Sequence, residues 1–377
     1  MGPLRGVRVV EIASFGPGPF AATLLADMGA DIVKVDRVDE GDGGVFESRL
    51  LSRGRRSICV DLKLEEGVEI VLRLVGRANG LIEGFRPGVA ERLGLGPASV
   101  MERNPRIVYG RMTGWGQSGP RSETAGHDID YMALSGMLHA IGSVDGGPIP
   151  PLNLVGDYGG GGTLLAFGMV CAMFEATRSG RGQVVDASMV EGASLLGAQI
   201  FELLHEGLWE DRRGVNLLDG GAPFYTTYET ADGRHVAVGA LEPKFFRELL
   251  AGLELDSELL PSQYDRSRWP ELRSQLAGRF ITRTRDEWEE LFAGTDACVA
   301  PVLSLAEAPR HPHNQARGTF VEQDGMVQPG PAPRFSNTVP ERGRPAPGKG
   351  EHTADVLAQL GYSGAEVESL ERRGIVR

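Results

Sequence analysis

Val7-Arg8-Val9-Val10-Glu11-Ile12 is a short, nearly continuous apolar run, the signature of a strand buried on both sides. Gly16-Pro17-Gly18-Pro19 breaks it. From Phe20 to Met28 the apolar positions shift to helical spacing (Phe20, Leu24, Leu25, Met28), and Gly29 stands where a left-handed cap is needed. Asp31-Ile32-Val33-Lys34-Val35-Asp36 returns to the strand pattern. The rhythm then repeats. Asp61 caps a helix predicted over Leu64 to Arg77, Gly80 to Glu83 is a strand, a helix follows Pro97, and Arg106 to Arg111 is the next strand. Further helices are predicted at Asp128 to Ile141, Thr163 to Arg178 and Val190 to Glu206, with a strand at Gln183 to Ala187. The Thr163 helix is so apolar that burial is expected. This alternation specifies an α/β fold, a parallel sheet with helices on its faces.

The pattern changes near residue 210. Asp211 to Pro223 is polar and glycine-rich, as expected of a linker. A β-hairpin follows, Phe224 to Thr230 and His235 to Val238 around Ala231-Asp232-Gly233-Arg234. Helices at Pro243 to Leu253, Trp269 to Phe280 and Asp286 to Phe292 complete a small α+β unit. Gln328 to Lys349 is rich in proline and glycine, and His352 to Arg373 is amphipathic, with Leu357, Leu360 and Leu370 on its apolar side. The expected division is therefore a large domain over 1–210, a linker over 211–223, a small domain over 224–310 and a return segment over 311–377.

With 377 residues there is length for about two domains. A formal charge of −12 repels a polyanion, which argues against nucleic acid as a partner. No apolar run reaches the ~20 residues of a membrane helix, so no membrane span is expected. The opening Met1 to Arg8 carries Pro3, Arg5 and Arg8 with no apolar signal core, so a cytoplasmic protein is expected. Cys59, Cys171 and Cys298 are too scattered for a disulfide framework or a thiolate zinc site. His311 and His313 form only a lone H-x-H, and no metal is expected.

The first βα turn lacks a full G-x-G-x-x-G, and Pro17 and Pro19 remove backbone donors, so it is a poor dinucleotide fingerprint. Asp36 stands where a ribose hydroxyl would be held, but Arg37 beside it suits a phosphate better. Arg56, Lys63, Arg86 and Arg92 also fall at strand ends or first turns, a clustering that points to a phosphate-bearing ligand. His127 follows a loop and precedes a predicted helix, where its side chain can face a cleft beside backbone N–H groups. Asp157 precedes four consecutive glycines. A capping role accounts for the aspartate alone, while the glycines suit a ligand brought close to the backbone. Glu242, just before Pro243, fits a helix start.

Glu83-Gly84-Phe85-Arg86-Pro87-Gly88-Val89-Ala90-Glu91-Arg92-Leu93-Gly94 resembles a segment of the class III CoA-transferase (CaiB/BaiF) family, which includes racemases of acyl-CoA thioesters. Asp61-Leu62-Lys63, Val108 to Gly116 and Gly350 to Leu357 resemble neighbouring family motifs, in order along nearly the whole chain. The resemblance implies a Rossmann-like large domain completed by the returning C-terminal tail, a small domain, and an interlocked homodimer. It implies that Val60, Asp61, Leu62 and Lys63, then Gly84, Phe85 and Arg86, then Gly126, Asp128 and Tyr131 line a CoA site. Arg37, Lys63 and Arg86, with Arg92 nearby, would meet the CoA phosphates.

The family's racemases carry histidine where His127 stands, and its transferases a non-basic residue. Asp157 matches an aspartate that is an acid/base in the racemases and an acyl-anhydride nucleophile in the transferases. Glu242 resembles a glutamate contributed across the racemase dimer. Inverting a carbon next to a thioester takes two groups on opposite faces, and an imidazole with a carboxyl serves in either direction. The thioester acidifies its own α-proton, so no cofactor is expected. The implied activity is an isomerase of lipid metabolism, interconverting (2R)- and (2S)-methyl-branched acyl-CoA. The alternatives are a CoA-transferase with Asp157 as nucleophile and a non-catalytic nucleotide-binding protein.

Overall fold

The computed structural model describes residues 2–39, 48–340 and 343–377. In chain order its elements are β1 (Arg8–Ile12), α1 (Pro17–Asp27), β2 (Asp31–Asp36), β3 (Arg55–Cys59), α2 (Glu65–Val75), β4 (Gly80–Glu83), α3 (Val89–Arg92), α4 (Pro97–Arg103) and β5 (Val108–Thr113). Next come α5 (Asp128–Leu134), α6 (Met137–Ala140), a π-helical turn (Leu154–Gly162), α7 (Thr163–Ser179), β6 (Val184–Ser188), α8 (Met189–Leu196) and α9 (Ala198–His205). β7 (Tyr225–Glu229), β8 (His235–Gly239), α10 (Pro243–Gly252), α11 (Trp269–Phe280), α12 (Arg285–Phe292), β9 (Val299–Pro301) and α13 (Pro312–Arg317) follow. The chain ends with β10 (Phe320–Gln323), β11 (Met326–Pro329), α14 (Thr353–Gln359) and α15 (Gly364–Arg372).

Two compact units result. The first holds residues 1–135, 151–196 and 315–377, and the second holds 136–150 and 197–314. The first contains a six-stranded parallel sheet in the order β3-β2-β1-β4-β5-β6, a doubly wound arrangement. Successive strand residues enter opposite cores, as the pleat requires. Val10, Val33, Val35 and Leu81 join Ile70, Val71 and Val100 with Val356 and Leu370 of the C-terminal tail. Val9, Ile32, Ile82 and Val108 pack with Leu25, Leu165 and Met169 on the other face. The tail also pairs by backbone, with Asp61 donating to Ile375 O at 2.8 Å. The second unit contains a three-stranded antiparallel sheet, β7-β8-β9, around Phe224, Trp288 and Phe280.

Several sequence expectations need correction. The boundary predicted near 210 falls between Leu196 and Gly197, and residues 136–150 also belong to the second unit. Asp211 to Pro223 is no free linker: Asp219 accepts the backbone N–H groups of Gly214, Asn216 and Gly221, and Asn216 is buried. The single helices predicted over 128–141 and 190–206 are each cut in two, at Gly136 (φ 84°) and Gly197. Both cuts are where the chain passes between units. The terminal helix likewise divides at Gly361 (φ 96°). α7 is half exposed, with Phe167, Val170 and Phe174 open along one stripe. The helical stretch Leu154–Ser179 passes for a membrane span by length and composition only; 44% of its apolar window is buried and its inner face packs on the sheet.

Candidate active site

Loops that follow parallel strands emerge on one edge of the sheet, which gathers sequence-distant residues. Gly16 in the β1–α1 loop has φ 67°, and a Cβ there would lie 3.4 Å from Asp157 Oδ2. Asp157 itself sits half-buried in the middle of the π-helical turn. The loop after β5 ends at His127, the exposed residue that starts α5.

His127 is placed by its neighbours. The ring of Tyr131 fills the space that side chains at Gly114 and Gly126 would take, stacks edge-on against Trp115 (4.7 Å, 82°), and its hydroxyl donates to Gly126 O. Burial pushes the Tyr131 phenol up to about 12, aided by the charge of Asp157. His127 N–H donates to Asp130 Oδ2 at 2.9 Å, half of a capping box. The N–H groups of Asp128 and Ile129, next in the chain, have no acceptor among the described residues.

Asp128 and Asn153 position the second group. Asp128 Oδ1 accepts the Asp157 N–H at 2.7 Å, and its carboxyl is raised by burial against the lowering effect of N–H groups of Asp157 and Gly156. Asn153 Nδ2 donates to Asp157 Oδ2 at 3.1 Å. Asp157 Oδ1 accepts no hydrogen bond from the described residues. The Asp157 carboxyl is held above the ordinary aspartate range, first by burial and further by the Asp128 charge; the Asn153 hydrogen bond and His127 pull it down. His127 is therefore within electrostatic reach of Asp157, and an acid raised toward neutrality suits proton transfer at physiological pH.

The glycines after Asp157 allow close packing of neighbouring helices. A Cβ at Gly160 would lie 2.6 Å from Ala193 N, one at Gly192 would lie 1.9 Å from Gly160 O, and one at Gly162 would lie 2.7 Å from Pro17 O. They let α8 and α1 meet the turn backbone to backbone. Nor does Asp157 cap a helix.

Arg37, Lys63 and Arg86 are exposed just beyond the C-terminal ends of β2, β3 and β4, on the edge that carries His127 and Asp157, and Arg92 is exposed on α3. Gly84 is exposed, with the Ser14 side chain 3.0 Å from where its Cβ would be. Asp36 is buried, bonded by Ser57 Oγ at 2.7 Å and paired with Lys34 at 2.9 Å, so no ribose contact is open to it. Six of the residues singled out in the sequence have roles in the fold itself. Val60 is a core residue, 1% exposed, and Leu62 and Phe85 pack against the same core. Asp128 spends its carboxylate on the backbone of the Asp157 turn. Arg56 belongs to the opposite edge, at the start of β3, paired with Asp31 at 2.7 Å. Asp61 holds its own loop, accepting the Lys63 N–H at 2.9 Å. Glu242 stands in the second unit, exposed at the start of α10. Asn153 was not anticipated; nothing in its sequence context distinguishes it.

Among the described residues, no three His, Cys, Asp or Glu side chains gather to hold a metal ion. A model of CoA-transferase family III matches residues 4–353. The chain is 50% identical over 376 residues to the α-methylacyl-CoA racemase of Mus musculus, covering 99% of this chain and 97% of that protein. It is 47% identical over 378 residues to the α-methylacyl-CoA racemase of Homo sapiens, with the same coverage. A crystal structure of a CaiB/BaiF family protein from Brucella suis superposes with a TM-score of 0.81 at 26% identity, over 95% of this chain and 99% of that one.

Proposed function

The chain belongs to CoA-transferase family III, and we infer that within it this protein is an isomerase, a racemase of α-methylacyl-CoA thioesters. Identity near one half along the full length carries the reading. The observation that supports it in the structure is the pair itself: an exposed imidazole and a half-buried carboxyl of raised affinity for its proton, on one edge of one sheet. A CoA-transferase using Asp157 as nucleophile is not favoured.

The proposed reaction is a 1,1-proton transfer. One of His127 and Asp157 removes the α-proton, and the electron pair moves onto the thioester oxygen as an enolate. The other group then delivers a proton to the opposite face of the same carbon. Each acid–base step of this type contributes ~10²–10⁴-fold. The N–H groups of Asp128 and Ile129, without an acceptor among the described residues, are suited to the enolate oxygen, where one donor is worth ~2.7–4 kcal/mol. Arg37, Lys63 and Arg86 supply positive charge for the CoA phosphates. No cofactor enters this scheme. We further propose that two copies assemble: the open stripe of Phe167 (65% exposed), Val170 and Phe174 (64%) supports a protein-covered face, and Glu242 would act beside His127 of the other copy.

The test is to incubate one 2-methylacyl-CoA enantiomer in D₂O without an acceptor acid. Deuterium at C2 with inversion is expected. Acyl exchange onto added carboxylates with no label at C2 refutes the racemase.

A further inference from the structure

The sheet of the first unit has a second edge, at the N-terminal ends of its strands, away from His127 and Asp157. A cavity of about 400 Å³ opens there, in the ~300–1,000 Å³ range of small-molecule sites. Its floor is apolar: Val10 and Val33 from the sheet, Leu74 from α2 and Leu360 from the end of α14. Its rim is cationic, with Arg8, Arg56 and Arg77. An adjoining cavity of about 300 Å³ shares Arg56 and Asp31 with it and adds Arg5 and Arg344. Five arginines thus face one aspartate, in a chain whose net charge is −12.

Internal contacts account for only part of this charge. Arg56 forms a two-point pair with Asp31 (2.7 and 3.2 Å) and donates to Gln359 Oε1 at 2.9 Å. Arg77 donates to the Gln359 carbonyl, as suits a cation at a helix C-terminus. The guanidinium groups of Arg5, Arg8 and Arg344 have no hydrogen-bond or ion-pair partner among the described residues. Solvated surface arginines do not need an apolar floor beneath them, and an apolar recess alone does not need cations. A ligand with an anionic head and an apolar tail needs both.

We propose that this cavity binds a single-chain amphipathic carboxylate, its head at Arg8 and Arg77 and its alkyl tail over Val10, Val33, Leu74 and Leu360. The site is separate from the thioester site and takes a ligand that lacks CoA.

Octanoate is the probe, titrated into the full-length protein by calorimetry with free CoA at saturation. Saturable binding of one octanoate per chain is expected, weakened at least tenfold by Arg8→Gln and abolished by Ala78→Glu, which sets a carboxylate into the cavity wall. Octanol at the same concentrations should not bind. Arg8→Gln should keep full turnover, showing an intact fold. The proposal is overturned if the parent protein shows no saturable octanoate binding or if octanol binds equally well. It is also overturned if binding is unchanged in Arg8→Gln, since the ligand then sits elsewhere, the acyl path of the thioester site included.

Discussion

Replacing Gly192 by alanine tests whether the close approach of α8 to the π-helical turn sets the position of Asp157. The added Cβ would stand 1.9 Å from Gly160 O and 2.4 Å from Gly160 C, against the 3.0 Å that real Cβ contacts respect. The obstacle is backbone, so no side chain can swing aside. Either α8 retreats by about 1 Å or the turn deforms by as much, and overpacking of this kind costs ~1–3 kcal/mol. Gly160 is on the same turn as Asp157, so the displacement reaches the carboxyl. A shift of ~1 Å in a reacting group costs ~10²-fold in rate. Two assays on one sample check this: urea denaturation for stability, and wash-in of deuterium at C2 for chemistry. Gly278→Ala is the control. It lies inside α11 with no atom within 4 Å of the new Cβ, and should gain ~0.5–1 kcal/mol and leave exchange untouched. If Gly192→Ala unfolds at the parent urea midpoint and exchanges at the parent rate, the packing argument is wrong.

Asp128→Ala should cost ~1–3 kcal/mol by leaving the Asp157 N–H without its acceptor and should lower kcat more than it raises KM, while Asp128→Asn, which keeps an acceptor oxygen, recovers most of both. Asp157 holds its proton more tightly folded than unfolded, so its contribution to stability is full below the unfolded value and is lost as pH rises through the higher folded one. Asp157→Asn should therefore melt progressively higher than the parent as pH rises toward neutrality, with proton exchange abolished; parallel melting curves across pH would contradict this. Arg55→Ala should destabilise the fold by ~3–5 kcal/mol in urea titrations, because it strands Glu11, its ion-pair partner at 2.6 Å, both side chains being 0% exposed. Arg37→Ala and Arg86→Ala should raise KM for acyl-CoA with kcat little changed, and the loss should shrink at high salt. A kcat effect without a KM effect would remove them from the phosphate site.

The strands and the first helices were legible because period two and period 3.6 are local signals. Val9 and Val10 must face opposite cores wherever the strand lies. The helix ends were harder: the pattern from Asp128 to Ile141 is apolar enough to run on, and nothing local shows that the chain leaves one unit for another at Gly136. The four glycines after Asp157 show the same limit. Their need for close approach is written in the sequence, but that α8 and α1 make that approach depends on elements some thirty residues later and well over a hundred residues earlier.

The chain alone fixed the alternation that makes a parallel sheet, the family motifs, and the imidazole and carboxyl proposed to exchange a proton, since each depends on residue type and near-neighbour spacing. Folding decided which cations share an edge with them. Arg37 and Arg86 lie on it and Arg56 does not, because that depends on which end of a strand each one occupies. It also made Asp128 an anchor of the Asp157 turn, and left Asp157 half-buried with its proton held more tightly. Burial and hydrogen-bond partners come from residues far apart in the chain, and no local pattern encodes them.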